Sequence, residues 1–279
     1  MPLTTASNEG GQNRQGSARR PDSIMAGEPR LKVAAYQAPL ARHSIPESVS
    51  LIGARVRQCE AQNVSFLCCP EGILGGLADY ATDPFAIALD MPSGQLHNTL
   101  APIASETVTT IVGFTESQGP SQIFNSAAVF HHGTVIGVYR KLRPAIRRSV
   151  YSAGEEMPVF TVGGLTFGIV ICYDSTFAEP ARTMAGKGAT VLFVPTNNAL
   201  PASGGGAELV VDARTCDIAL ATANAVTVVR ADVAGCDGSF TSHGSSAIVS
   251  AKGTTLASAK RLQPDLLIAE RAVNECAAQ

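Results

Sequence analysis

Three segments of the chain run as apolar strands and stop on a side chain that can do chemistry. They are Phe66-Leu67-Cys68-Cys69-Pro70-Glu71, Val135-Ile136-Gly137-Val138-Tyr139-Arg140-Lys141, and Leu165-Thr166-Phe167-Gly168-Ile169-Val170-Ile171-Cys172-Tyr173-Asp174. At a strand end a rigid scaffold meets a loop, which is where α/β proteins place active-site residues. Cys172 is either a buried core thiol, the commoner fate of a free cysteine, or a nucleophile. Its place at a strand stop, with Asp174 and Ser175 following at once, favours the second reading. Backbone N–H groups exposed at such a turn lower a thiol pKa and bind an oxyanion. Glu71 is either a solvated strand tip or, if buried, a base able to take a proton from a thiol. Lys141 is either an ordinary strand-flanking cation or a fixed charge beside a thiolate and a developing oxyanion.

Other candidates carry less. A cysteine–histidine hydrolase needs a partner imidazole, and the five histidines are His43, His97, His131, His132 and His243. His131 and His132 sit on a hairpin tip and His43 on the approach to a helix, so these three are expected to be solvated. Cys68 and Cys69 are vicinal, so one of them must face a core, and packing is their expected role. Ser203-Gly204-Gly205-Gly206 lacks the spacing and following lysine of a phosphate loop and reads as a loop. The seven cysteines are odd in number and irregular in spacing, a poor disulfide framework, and no Cys-x-x-Cys or His-x-x-x-His occurs. No metal or organic cofactor is expected.

The elements that must position these residues follow from the periodicity. Leu31–Gln37 reads as a buried strand. A helix follows, capped by Ser44, with Pro46 in its first turn and Val49, Ile52, Val56 and Cys59 at helical spacing. Ser65–Cys69 is the next strand. Ser93–Glu106 reads as a helix and Val108–Phe114 as a strand. Hairpins are expected at Ile123–Phe130 with Thr134–Tyr139, and at Val159–Val162 with Leu165–Cys172 around Gly163-Gly164. A helix from Glu179, a strand at Thr190–Val194, a helix at Ala207–Ala223 and strands at Val226–Asp232, Ser245–Val249 and Leu266–Ala272 complete the set. Hairpins among β-α units imply a mixed sheet or two packed sheets in an α/β fold, not a purely parallel one.

Composition bounds the function. With 279 residues, 45% hydrophobic and 16% charged, the chain can bury a large core and is not disordered as a whole. A formal net charge of −2 offers nothing to neutralise phosphates, so no nucleic acid and no anionic membrane surface is expected as a partner. No apolar run approaches the roughly 18 residues of a membrane span. Residues 1–29 are rich in Gly, Ser, Asn, Gln and Arg and lack an apolar core segment, so a disordered extension is expected there and not a secretory signal. One domain over 30–275 and a reducing, cytoplasmic setting are the expectations.

Taken together, Pro70-Glu71-Gly72, Tyr139-Arg140-Lys141-Leu142 and Gly168-Ile169-Val170-Ile171-Cys172-Tyr173-Asp174, continuing to Phe177 and Glu179, resemble the nitrilase, or carbon–nitrogen hydrolase, superfamily. Ala213-Arg214 and Gly244-Ser245-Ser246 match as well, and the resemblance spans 31–272. It implies an α-β-β-α sandwich, two mixed sheets between helix layers, that pairs into a homodimer or a higher homo-oligomer. It implies a Glu71–Lys141–Cys172 triad that cleaves a small carboxamide through a thioester, with the Tyr173 backbone N–H beside Lys141 at the oxyanion. Nitrile-cleaving members usually follow the cysteine with Trp-Glu, whereas Tyr173-Asp174 resembles the amidase-like branches. Hydrolysis of a nitrile or an N-carbamoyl compound is the alternative, and a catalytically silent binding protein a more distant one. Asn197-Asn198 either line the pocket or close a turn. Where many members carry a second glutamate, this chain has Arg147-Arg148. Arg147 would suit a carboxylate-bearing substrate, and Glu155 or Glu156 would be the replacement for the missing carboxylate.

Overall fold

The computed structural model describes residues 30–40, 44–203 and 205–272. The predicted N-terminal extension, His43, Gly204 and Cys276 therefore lie outside the described residues.

The strand Arg30–Pro39 is the hub of the first sheet. It pairs in parallel with Phe66–Cys68 (Val33 opposite Phe66) and antiparallel with the long strand Asp265–Ala272. Phe66–Cys68 then pairs in parallel with Thr109–Gln118, which continues antiparallel into Gln122–His131 and Thr134–Arg140. The sheet has 10 strands and the second has 6. In the second, Leu165–Ile169, Val191–Pro195 and Thr227–Ala231 are parallel at the centre, with antiparallel strands at both edges. Both sheets are mixed, and the layers run helix, sheet, sheet, helix.

Two cores hold the layers together. Between the sheets, Phe66 meets Phe167 and Phe193 with ring centroids 5.5 and 6.0 Å apart. Outside the first sheet, Ile52, Val56 and Cys59 of the helix Ile45–Ala61 pack on Leu67 and Val112. Successive strand residues face opposite sides. Cys68 accordingly enters the inter-sheet core and Cys69 the helix-side core, so both vicinal thiols are buried, on different faces. Ser44 caps the first helix as expected, accepting from the Glu47 N–H while Glu47 reaches back to the Ser44 N–H.

Two elements differ from the sequence reading in ways that matter for the site. The helix expected over Ser93–Glu106 is confined to Gln95–Leu100 and relaxes into a 3-10 turn at Ala101–Ile103, where Pro102 has no N–H for a continuing ladder. The strand expected to reach Cys172 ends at Ile169. The Ile171 N–H turns to the Asp174 carboxylate, and Cys172 itself takes φ +45°. The Val233–Cys236 and Phe240–His243 hairpin, unassigned from sequence, turns at Asp237-Gly238. Among the described residues no helix is long and apolar enough to cross a membrane.

Candidate active site

The three strand-ending segments meet at one edge of the sandwich. Glu71 lies in the turn after Phe66–Cys68, and the strand carrying Gly113 runs directly beneath it. A Cβ at Gly113 would overlap the Pro70 carbonyl and lie 2.6 Å from the Gly72 nitrogen and 2.9 Å from Glu71 Cα, so only glycine allows this approach. Glu71 is buried, not a solvated tip. Its Oε1 accepts from Lys141 Nζ at 2.6 Å and from Asn125 Nδ2 at 2.7 Å, and its Oε2 from the Asn197 backbone N–H at 3.0 Å. Lys141 is buried as well. Burial works against its charge, but the Glu71 carboxylate, by its charge and its hydrogen bond, outweighs it and holds the ammonium above its ordinary pKa. The group therefore stays a cation at neutral pH.

Cys172 opens a short 3-10 turn, Cys172–Thr176. A non-glycine residue at φ +45° costs on the order of 1–3 kcal/mol and persists only where its surroundings fix it. Here the Ser175 hydroxyl donates to the Cys172 carbonyl at 2.6 Å. Asp174, fully buried, takes the Tyr139 hydroxyl at 2.8 Å and the backbone N–H groups of Leu142 and Arg143 at 3.2 and 2.9 Å. That carboxylate ties the turn of Cys172 to the residues on either side of Lys141. The residue is half-buried, packed against the inter-sheet core. Burial pushes the thiol up to about 12; Glu71 adds to this, while Lys141 and Arg230 oppose it.

Arg230, from the middle of the strand Thr227–Ala231, bridges the two halves. It is buried and grips Asp217 of the helix Ala207–Asn224 through three bonds, the shortest 2.6 Å. Its remaining N–H groups donate to the Ser175 hydroxyl at 3.0 Å and the Thr196 hydroxyl at 2.8 Å. Ser175 holds Cys172, and the Thr196 carbonyl receives the Glu71 N–H at 3.3 Å.

The remaining sequence candidates separate clearly. Tyr173 is exposed, its ring edge-on to Phe177, and its N–H belongs to the first turn, where helical donors have no partner within the helix. Asn197 contributes its backbone N–H to Glu71, while its side chain accepts from the Ala199 N–H and so closes a turn. Asn198 is the amide that faces the thiol, with Oδ1 3.7 Å from Sγ. Arg147 is exposed and shares no hydrogen bond or ion pair with the three among the described residues. Glu155 and Glu156, also exposed, line a surface cavity with Glu116 and Arg140, whose ion pair is 2.6 Å long. His131 bonds Thr109 and stacks on His132, away from these groups. Sequence reasoning missed Asn125, Arg230, Asp217 and Asp232. The available signal was a polar pair, Asn125-Ser126, and an arginine, each inside an otherwise apolar strand.

A cavity of about 200 Å³ opens on the side of Asn197, lined by Leu40, Leu77, Tyr80, Asn197 and Phe240. A smaller one of about 40 Å³ shares Leu40, Gly76 and Asn197 with it and reaches Glu71. Tyr80 lies between the rings and the charges: it packs on Phe240 at 5.0 Å, and burial, then Asp79, Glu71 and Cys172, raise its hydroxyl pKa. Among the described residues no group of three or more metal-ligating side chains occurs.

Comparison with known proteins bears on the family and the fold. The family model described as "Carbon-nitrogen hydrolase" matches residues 32–279. A protein of Pseudomonas protegens named "Hydrolase in pqqF 5'region" is 34% identical over 188 residues, 63% of each chain, so the match spans just under two thirds of that relative. A "Nitrilase" of Pyrococcus abyssi is 29% identical over 218 residues, 77% of this chain and 79% of the relative. Among solved structures, a cysteine-to-alanine mutant of the Nesterenkonia AN1 amidase superposes with a TM-score of 0.72 at 23% identity, over 88% of this chain and 92% of that one. A form of the same amidase with the acetamide moiety of fluoroacetamide added covalently at its active-site cysteine gives 0.74 at 22% identity, over 88% and 91%. At these identities the superpositions speak for the fold.

Proposed function

The chain belongs to the carbon–nitrogen hydrolase family, and on that premise we propose that it is a hydrolase that cleaves a small primary carboxamide through a cysteine thioester. The observation that carries this reading is the 2.6 Å pairing of the buried Lys141 and Glu71 beside the Cys172 thiol, whose pKa burial raises. Glu71 takes the thiol proton as Sγ attacks the carbonyl carbon. The oxyanion of the tetrahedral adduct lies against the Lys141 ammonium and the Tyr173 N–H. Protonated Glu71 returns its proton to the departing ammonia, and the C–N bond breaks. Glu71 then takes a proton from water, whose oxygen attacks the thioester carbon; the C–S bond breaks, Glu71 returns the proton to Sγ, and a carboxylic acid leaves.

The apolar walls beside the triad, Leu77, Tyr80 and Phe240 among them, support a small acyl group with an apolar body. Arg147 is the group offered to a carboxylate-bearing substrate. If Arg147→Ala leaves the preference for acidic over neutral amides unchanged, Arg147 has no place in the site. Homodimerisation is supported by the helix Ala207–Asn224, where Val211 is 58% exposed and Ile218 36%, next to an exposed Leu256. Free thiols throughout the described residues suit a reducing, cytoplasmic setting.

The test is ammonia release across primary amides, ω-amides of dicarboxylates, ureido acids and nitriles, with Cys172→Ala as control. Release that disappears in the alanine variant is the expected result. An alanine variant as active as the parent overturns the mechanism.

A further inference from the structure

The side-chain amide of Asn198 cannot turn freely. Asp232 is buried and its carboxylate is surrounded by four donors: the N–H groups of Asn198, Val233 and Ser245, and the Ser245 hydroxyl at 2.6 Å. The Ser245 proton is thereby committed to Asp232, and the hydroxyl has only lone pairs left for Asn198. An NH2 group satisfies them and a carbonyl oxygen does not, so Nδ2 occupies that place, 3.1 Å from Ser245 Oγ. Oδ1 is then forced to the other side, where it lies 3.7 Å from Cys172 Sγ and accepts weakly from the resting thiol.

This gives the reacting centre two chemically distinct walls. The Lys141 ammonium and the Tyr173 N–H offer donors, which fit a carbonyl oxygen. Asn198 Oδ1, like the Glu71 carboxylate, offers an acceptor beside the sulfur, which fits N–H groups. A primary amide has both halves, a C=O and an NH2. A nitrile has no N–H, and neither has an ester. With either of those, Oδ1 is left without a donor once water is expelled and the thiol proton has passed to Glu71, a cost that falls on the poor substrate alone.

We propose that Asn198, held by Ser245 and Asp232, is the residue that selects a terminal –CONH2 group over a nitrile or an ester of the same acyl chain. This rests on the thiol-hydrolase reading above and sharpens it. The –CONH2 of a carboxamide and that of a ureido compound share this chemistry, so both belong in the test.

The experiment takes the best primary amide of the ammonia-release panel, together with its nitrile, its methyl ester and the corresponding ureido compound. It measures kcat/KM for the unaltered chain, Asn198→Leu and Ser245→Ala. The unaltered chain prefers the amide or the ureido compound to the nitrile. In Asn198→Leu the amide-over-ester ratio falls about tenfold. Ser245→Ala frees the amide to rotate and lowers the ratio by a smaller factor. General damage to the site lowers amide and ester together and leaves the ratio alone, so the ratio separates selection from stability. An unaltered chain that prefers the nitrile, or an Asn198→Leu ratio within twofold of the parent, overturns the proposal. If the unaltered chain hydrolyses none of the four, the thiol-hydrolase reading itself fails and this one with it.

Discussion

The bridge made by Arg230 permits a test in which stability and catalysis part company. Arg230 and Asp217 are both buried, and their three bonds of 2.6 to 3.0 Å leave the carboxylate as the main partner of an enclosed guanidinium. Asp217→Asn removes that charge and strands Arg230, with Arg214 nearby at 3.8 Å also losing its counter-ion. Breaking a buried pair from one side costs about 3–5 kcal/mol. At this chain length each kcal/mol shifts the unfolding midpoint by roughly 2 °C, so Tm should drop by about 6–10 °C. The double variant Arg230→Met/Asp217→Leu removes both charges and fills the space with apolar groups. Such replacements are often neutral, so Tm should return to within about 4 °C of the parent. Activity should not return. Without the guanidinium, nothing links Ser175, which holds the Cys172 carbonyl, to Thr196, which holds the Glu71 N–H. The thiol also loses a charge that lowers its pKa. A kcat at least tenfold below the parent is expected, since small misplacements of reacting groups are expensive. The assays are calorimetry and ammonia release on the same preparations. A double variant that regains both Tm and kcat would reduce Arg230 to charge compensation and refute the bridge.

Three further outcomes follow from the same geometry. Glu71→Gln should cut kcat by about 10²–10⁴ as the base is lost, yet speed alkylation of Cys172 at pH 9, because the Glu71 charge helps hold the thiol at about 12 and its removal lowers that value; slower alkylation in stopped-flow thiol assays would contradict the assignment. Gly113→Ala should lose about 1–3 kcal/mol in urea titrations, and kcat more than proportionally, because the added methyl meets backbone atoms of the Pro70–Gly72 turn that cannot step aside. Val211→Glu, on the exposed apolar helix face, should convert a dimer to a monomer in analytical ultracentrifugation, and an unchanged sedimentation coefficient would move the interface elsewhere.

What could be read from the chain, and what could not, divides by the range of the contacts. Glu71, Lys141 and Cys172 are visible because each ends an apolar run, and a run that stops on a polar residue is a local pattern. The cap at Ser44 and the hairpin at Gly163-Gly164 are local for the same reason. The strand end before Cys172 is misread because its cause is a side chain three residues on, Asp174, whose other partners are Tyr139, Leu142 and Arg143. Asn125 reaches Glu71 across 54 positions, and Asn198 reaches Ser245 across 47; no periodicity encodes such a pairing. Arg230 lies on the buried strand Thr227–Ala231 and Asp232 directly follows it, and their presence there does carry information. A charge inside an apolar strand must find a buried partner or unfold it. That rule says a partner exists without saying which. It takes the fold to show that one of these charges links the turn of Cys172 to that of Glu71, and that the other holds the backbone of the residue whose amide faces the sulfur.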